Sequence, residues 1–139
     1  MTKFESSLKT VNVPKGSVYG FLSDINNLES LVPEGLAGNF ESGNGVFRFN
    51  IDGLGQIGVR MVNVESEDSI LFESEGSHPF RFNLGIDLHE KENHQTSLQL
   101  TFNAELNMMM KMMAQKPIEE GIERIAAELA DNLNSRQWS

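Results

Sequence analysis

After Pro117 the residues Ile118, Ile122, Ile125, Leu129 and Leu133 recur at steps of three and four, the spacing of one apolar face on a single long helix. A solitary helix with one apolar face must lie on something, and the alternating strands that end near Glu105 supply a sheet. Between strands and helix stands Met108-Met109-Met110-Lys111-Met112-Met113. Methionine is unbranched and polarizable, and its ordinary use is to fill irregular gaps in a core. Five methionines within six residues cannot all face one core, so some must serve a pocket, a mobile lid or a partner surface. A sheet gripping one helix leaves room for a cavity between the two, and this junction is the first place to look for a binding site.

The rest of the chain sets out the sheet. Residues 4–13 are expected to form a first strand, and Pro14 then opens a short helix bearing Val18, Phe21 and Leu22, at a position where its missing N–H costs nothing. Asp24 caps a second short helix with Ile25, Leu28 and Leu31, ended by Pro33 and Gly35. From Leu36 the period becomes two. Phe47, Phe49 and Ile51 alternate with polar residues, as do Ile57, Val59 and Met61, then Ile70 and Phe72. The phase slips at Val62-Asn63-Val64, which suggests a bulge. Phe80, Phe82, Leu84, Ile86 and Leu88 alternate with Arg81, Asn83, Gly85, Asp87 and His89, and Leu98, Leu100, Phe102 and Ala104 with Gln99, Thr101, Asn103 and Glu105. Gly43-Asn44-Gly45, Asp52-Gly53, Glu67-Asp68, His78-Pro79 and Glu92-Asn93 mark turns. Short turns between such strands imply an antiparallel meander, hence an α+β chain forming one domain over residues 1–139.

Composition excludes several functions. The net charge of −9, with basic residues scattered, argues against nucleic acid and anionic membrane surfaces as partners. There is no cysteine, so neither disulfides nor thiolate metal sites are available. The charged first residues lack the apolar stretch of a signal peptide, and no apolar run approaches ~20 residues, so no membrane insertion and a cytoplasmic location are expected.

The element order and the opening Val13-Pro14-Lys15-Gly16-Ser17-Val18-Tyr19-Gly20-Phe21-Leu22-Ser23-Asp24 resemble the START-related, birch-pollen-allergen-like (SRPBCC) superfamily, and Leu31-Val32-Pro33 resembles its proline after the second helix. The resemblance spans the whole chain and extends to polyketide cyclase-like members of bacterial type. It implies a helix-grip fold: a curved antiparallel sheet of about seven strands, two short helices and one long C-terminal helix, with an apolar cavity inside. Members bind lipids, sterols or polyketides, and some are cyclases or dehydratases.

In a meander alternate turns share one end of the sheet. The turns at residues 52–56 and 76–79 therefore lie with the strand exit at residues 105–109, around one opening. The expected site takes Met109, Met112 and Met113 with Phe49, Ile57, Phe80, Phe82 and Phe102 as an apolar lining, and Tyr19 or His78 for at most one orienting hydrogen bond. Other signals have plainer readings. Gly53-Leu54-Gly55-Gln56-Ile57-Gly58 matches G-x-G-x-x-G but runs into a strand, not a helix, and so is a hairpin turn. His89 and His94 are dispersed from His78, without metal-ligand spacing. Glu73 and Glu75 share a strand face away from the helix, where solvation is the ordinary state. Glu119, Glu120 and Glu123 suit the positive end of the helix dipole.

The leading functional reading is non-catalytic binding of a hydrophobic or amphipathic small molecule, with neither cofactor nor metal. The inward positions carry few polar groups, unlike those of polyketide cyclases, and this lowers the case for the alternative, a cyclase or dehydratase using His78, Tyr19 or a buried acid as proton carrier. A third reading is a protein-interaction module with a methionine-rich surface.

Overall fold

The computed structural model describes residues 1–24, 27, 41–43, 46–51, 55–62, 68–75 and 80–136, and up to residue 57 the strands from residue 41 onward are described by their backbone pairing alone. The strands are β1 (Thr2–Glu5), β2 (Lys9–Val11), β3 (Glu41–Gly43), β4 (Val46–Ile51), β5 (Gly55–Val62), β6 (Ser69–Ser74), β7 (Phe82–Lys91) and β8 (Gln95–Ala104). The helices are α1 (Lys15–Leu22) and α2 (Met108–Ser135). All pairings are antiparallel, in the order β1-β8-β7-β6-β5-β4-β3, with β2 also on β8. The expected second short helix and the phase slip at Asn63-Val64 lie outside the described residues, apart from Asn27.

The period of two becomes a set of apolar rows that cross the sheet. Phe4, Phe102, Leu84, Phe72 and Met61 stand directly opposite one another on successive strands. Leu100, Ile86 and Ile70 form the next row. Phe80, Phe82, Ile86 and Leu88 are buried as their alternation requires, and Leu84 is half-buried. On the opposite face Thr101 Oγ1 donates to Asp87 Oδ2 at 2.7 Å and Asn103 Nδ2 to Asn83 Oδ1 at 3.0 Å. Cross-strand pairs on both faces thus favour the same register.

The first strand is not continuous. Glu5 pairs with Thr101 and Lys9 with Leu98, so three residues of the N-terminal segment stand against two of β8. This one-residue excess is a β-bulge. Ser6 repairs the ladder: Leu100 N–H donates to its side-chain Oγ at 2.9 Å, and Gln99 Nε2 donates to its backbone carbonyl at 2.8 Å. Leu8 is turned out into solvent. The bulge also frees the Ser7 N–H and hydroxyl, which donate to the two carboxylate oxygens of Glu123 on α2 at 3.0 and 2.9 Å. Lys9 Nζ lies 3.2 Å from the same carboxylate. The Ser7 hydroxyl, then its backbone N–H, hold the Glu123 carboxyl below its ordinary pKa, and Lys9 adds to the effect.

Helix α2 begins at Met108, so Pro117, expected to begin the regular helix or to kink it, lies nine residues inside. Asn107 caps it, its Oδ1 accepting from Met110 N–H at 2.8 Å. Methionine, lysine, glutamine and alanine are good helix formers, and their run through Lys116 outweighs the ~3 kcal/mol that an interior proline costs. Glu119, Glu120 and Glu123 consequently lie beyond the first turn, out of reach of the dipole effect expected for them. They make lateral bonds instead, such as Gln115 Nε2 to Glu119 Oε1 at 3.1 Å. The buried stripe runs through Ala114, Ile118, Ile122, Ala126, Leu129, Ala130 and Leu133, with Ile125 half-buried on its flank. Near the C-terminus, Asn134 Oδ1 accepts from Asn12 N–H at 2.7 Å and Asn134 Nδ2 donates to the Thr10 carbonyl at 3.1 Å. The Arg136 guanidinium sits 4.1 Å from the centre of the Phe21 ring.

Two outcomes test this arrangement. Ile122→Ala should cost ~2–5 kcal/mol, the range for deleting a buried isoleucine, and Ile125→Ala clearly less. Denaturant curves showing equal losses would place the stripe on the wrong side. Ser7→Ala should raise the Glu123 pKa toward its ordinary value, measured by NMR titration of the carboxyl. Because the folded-state pKa is depressed, the stabilisation from this bond is complete above the unfolded-state value of ~4.3 and is lost as pH falls through the folded-state value. The stability gap between wild type and Ser7→Ala should therefore be present at pH 7 and shrink on acidification.

Candidate functional site

The register brings one end of the sheet together. Ile51 pairs with Gly55 at the β4–β5 hairpin, Ala104 at the end of β8 pairs with Phe82 at the start of β7, and α2 begins four residues later. Glu105 N–H donates to the Arg81 carbonyl at 2.9 Å, carrying the pairing past both strands. Four buried phenylalanines form the floor here. The Phe82 and Phe102 rings are stacked with centroids 5.0 Å apart, Phe80 meets Phe82 edge-on at 6.1 Å, and Phe4 tilts against Phe102 at 6.4 Å. These are the separations at which aromatic pairs attract beyond their buried area.

Above this floor, Leu106 and Met110 pack half-buried against the core. They border an open cleft of about 590 Å³ with Phe80, and Arg81, Glu105 and Asn107 lie on its rim. A second cleft of about 740 Å³ runs between β1 and α2 over Phe4, edged by Lys3, Glu5, Glu119, Glu120 and Arg124. The first mixes the apolar Phe80, Leu106 and Met110 with as many polar residues, and the second is ringed by charge around Phe4.

Of the residues expected at the site, Phe80, Phe82 and Phe102 come together. Phe49 and Ile57 are paired positions on the β4–β5 ladder, which also places Gly55 to Gly58 in a strand. His78 lies outside the described residues. Tyr19 packs on the core from α1, which sits at the other end of the sheet, beside the C-terminal turn of α2. A 28-residue helix is ~42 Å long, so Tyr19 and the first turn of α2 do not share a site.

The methionines also depart from expectation. Met108, Met109, Met112 and Met113 are 82, 72, 80 and 75% exposed, so they stand in solvent and not against the phenylalanines. The cause is helix phase. The Asn107 cap sets Met110, Ala114 and Ile118 on the sheet-facing line at steps of four, and the other methionines fall outside it. Sequence reasoning missed Phe4, Leu106 and Met110 as lining residues. Phe4 and Leu106 were readable as apolar residues flanking the strand ends, whereas Met110 is not separable from its neighbours until the cap fixes the phase.

Glu75 is held by Arg60 in a two-pronged pair, Nε to Oε2 and Nη2 to Oε1 both at 3.1 Å. The hydrogen bond and charge of Glu75 raise the Arg60 pKa above its already high value. Among the described residues no three His, Asp or Glu side chains gather as a metal site, and no helix is long and apolar enough to cross a membrane.

The model of the CoxG family, whose description is that of a carbon monoxide dehydrogenase subunit, matches residues 9–137. No curated protein matches the chain. Norcoclaurine synthase from Thalictrum flavum, in complex with dopamine and hydroxybenzaldehyde, superposes with a TM-score of 0.78 at 10% identity, over 99% of this chain and 89% of that one. A START superfamily protein from Mycobacterium smegmatis superposes at 0.70 with 14% identity, over 94% and 96% of the two chains. Likeness at such identities is a likeness of fold, and it is the helix-grip arrangement that all three share.

Proposed function

The chain belongs to the CoxG family of carbon monoxide dehydrogenase, and from this premise we propose that it is a cytoplasmic protein that binds a hydrophobic or amphipathic small molecule, such as a lipid, sterol or polyketide, without chemistry, between sheet and C-terminal helix. Proteins of this fold commonly bind hydrophobic ligands. The observation that carries the reading is the reach of the apolar row. Helix α2 packs on β1, β2 and β8, and among the described residues β3 to β6 make no comparable contact with it. The row nevertheless continues past β8 through Leu84 and Phe72 to Met61. Helix α1 packs on β6 and β7 and Phe72 is buried, so what a ligand of low polarity would reach is the half-buried Leu84 and Met61, binding chiefly by burial of area at ~25 cal/mol per Å². Phe80, Phe82 and Phe102 would form its inner end, with Phe49 and Ile57 on the neighbouring hairpin.

Native mass spectrometry of protein from its own host should show a retained apolar ligand. Dye displacement with fatty acids, sterols and aromatic polyketides should be weakened several-fold by Met61→Trp, which fills the half-buried end of the row, while Met112→Trp, on an exposed site, should leave it unchanged. Unaltered binding in Met61→Trp, or no binding of any ligand class, would count against the cavity.

A second reading, attachment to a protein partner, is favoured by the exposed methionines and by a family description that names a component of an oxidoreductase. Replacing Met109 and Met112 with Lys should then abolish co-purification with such a complex and leave dye displacement intact.

A further inference from the structure

An apolar cavity leaves Met108, Met109, Met112 and Met113 without a role, since all four side chains stand in solvent. We propose that they form a binding site for a soft monovalent metal ion, copper(I). A thioether sulfur is a neutral, soft donor, the type that selects Cu(I) and leaves Mg²⁺ and Ca²⁺ to oxygen ligands. On α2 the pairs 108/112 and 109/113 are four residues apart and the pair 109/112 is three apart. Such positions are neighbours on a helix surface, with Cβ atoms ~5–6 Å from one another. Met109 and Met112 are each adjacent to two of the others. Three rotatable bonds per side chain allow the sulfurs to converge on one ion held between successive turns.

The surroundings favour a soft ion over a hard one. The first turn of α2 carries no acidic residue, and Lys111 and Lys116 flank the patch. Those charges and the positive end of the helix dipole oppose any cation, and a divalent one twice as strongly as a monovalent one. Among the described residues no three carboxylate or imidazole side chains gather for a divalent hard ion, whereas Cu(I) gains bonds to sulfur. The chain has no cysteine, so no thiolate competes for the ion. Met61 and Met110 are half-buried against the core and so lie outside the patch. The inference uses none of the cavity-lining side chains and stands apart from the apolar-ligand reading.

The test is a titration of the full chain, labelled with 13C at the methionine methyls, with Ag(I) as an air-stable stand-in and with Cu(I) buffered by bicinchoninate. One ion should bind per chain. The methyl signals of Met108, Met109, Met112 and Met113 should move while those of Met61 and Met110 stay. Combining Met109→Leu with Met112→Leu retains helix propensity and removes two sulfurs. That variant should keep its circular dichroism spectrum and lose tenfold or more in affinity for either ion. Zn(II) should leave the four methyls in place. Methyls unmoved by Ag(I), affinity undiminished in the double variant, or an equal response to Zn(II) would overturn the site.

Discussion

One extra residue in the N-terminal edge strand governs how the long helix lies. The bulge at Ser6 to Leu8 turns the Ser7 N–H and hydroxyl away from β8, and both are taken up by Glu123 in the middle of α2. Further along the same edge, Thr10 and Asn12 bond Asn134 near the end of α2. The helix is thereby pinned at two points to β1 and β2, and its apolar stripe covers those strands and β8. A helix fixed along one edge cannot also cover the strands at the other edge. Where the polar pins are placed therefore sets which strands α2 covers, and α1 packs on β6 and β7 instead.

The cap at Asn107 exerts similar control over the other end of the site. By fixing the helix phase it assigns Met110 to the core and its four neighbours to solvent. One hydrogen bond thus divides a run of chemically identical side chains into a lining residue and an exposed patch. The two groups differ physically: the half-buried Met110 adapts its shape to the core it packs on, while the exposed thioethers offer their lone pairs to solvent.

The sheet was legible because its signal is redundant. Each strand from β4 to β8 repeats the alternation, and the rows Phe102–Leu84–Phe72 and Leu100–Ile86–Ile70 satisfy it on three strands at once. The bulge left only a faint trace, a change of apolar parity between Phe4 and the pair Val11 and Val13; the pairing partner shows that Ser6-Ser7-Leu8 holds one residue too many. The start of α2 was hidden for a different reason. Pro117 has the form of a helix start, yet the cap residue Asn107 before a run of strong helix formers is the better signal. The expectation that Met109, Met112 and Met113 line the opening follows from the shared end of the meander, which places the segment but not the phase of the helix that carries it. The burial and mutual contact of Phe80, Phe82 and Phe102 depend on strand parity alone and so were readable.

The same proline has an energetic meaning in the folded helix. Pro117 has no N–H to give the Met113 carbonyl, so the ladder of α2 lacks a bond between its first two turns and the rest. The segment before that break is held to the core by Met110 and Ala114 and by the Asn107 cap. The segment after it has the Ile118 to Leu133 stripe, the Glu123 pin, the Asn134 bonds and the stacking of Arg136 on Phe21. Local opening follows the distribution of buried contacts, and the least costly place to lift α2 is therefore residues 108–116. Of those residues Met110 borders the cleft over Phe80, so lifting these turns widens that cleft while the edge that positions the helix stays in place.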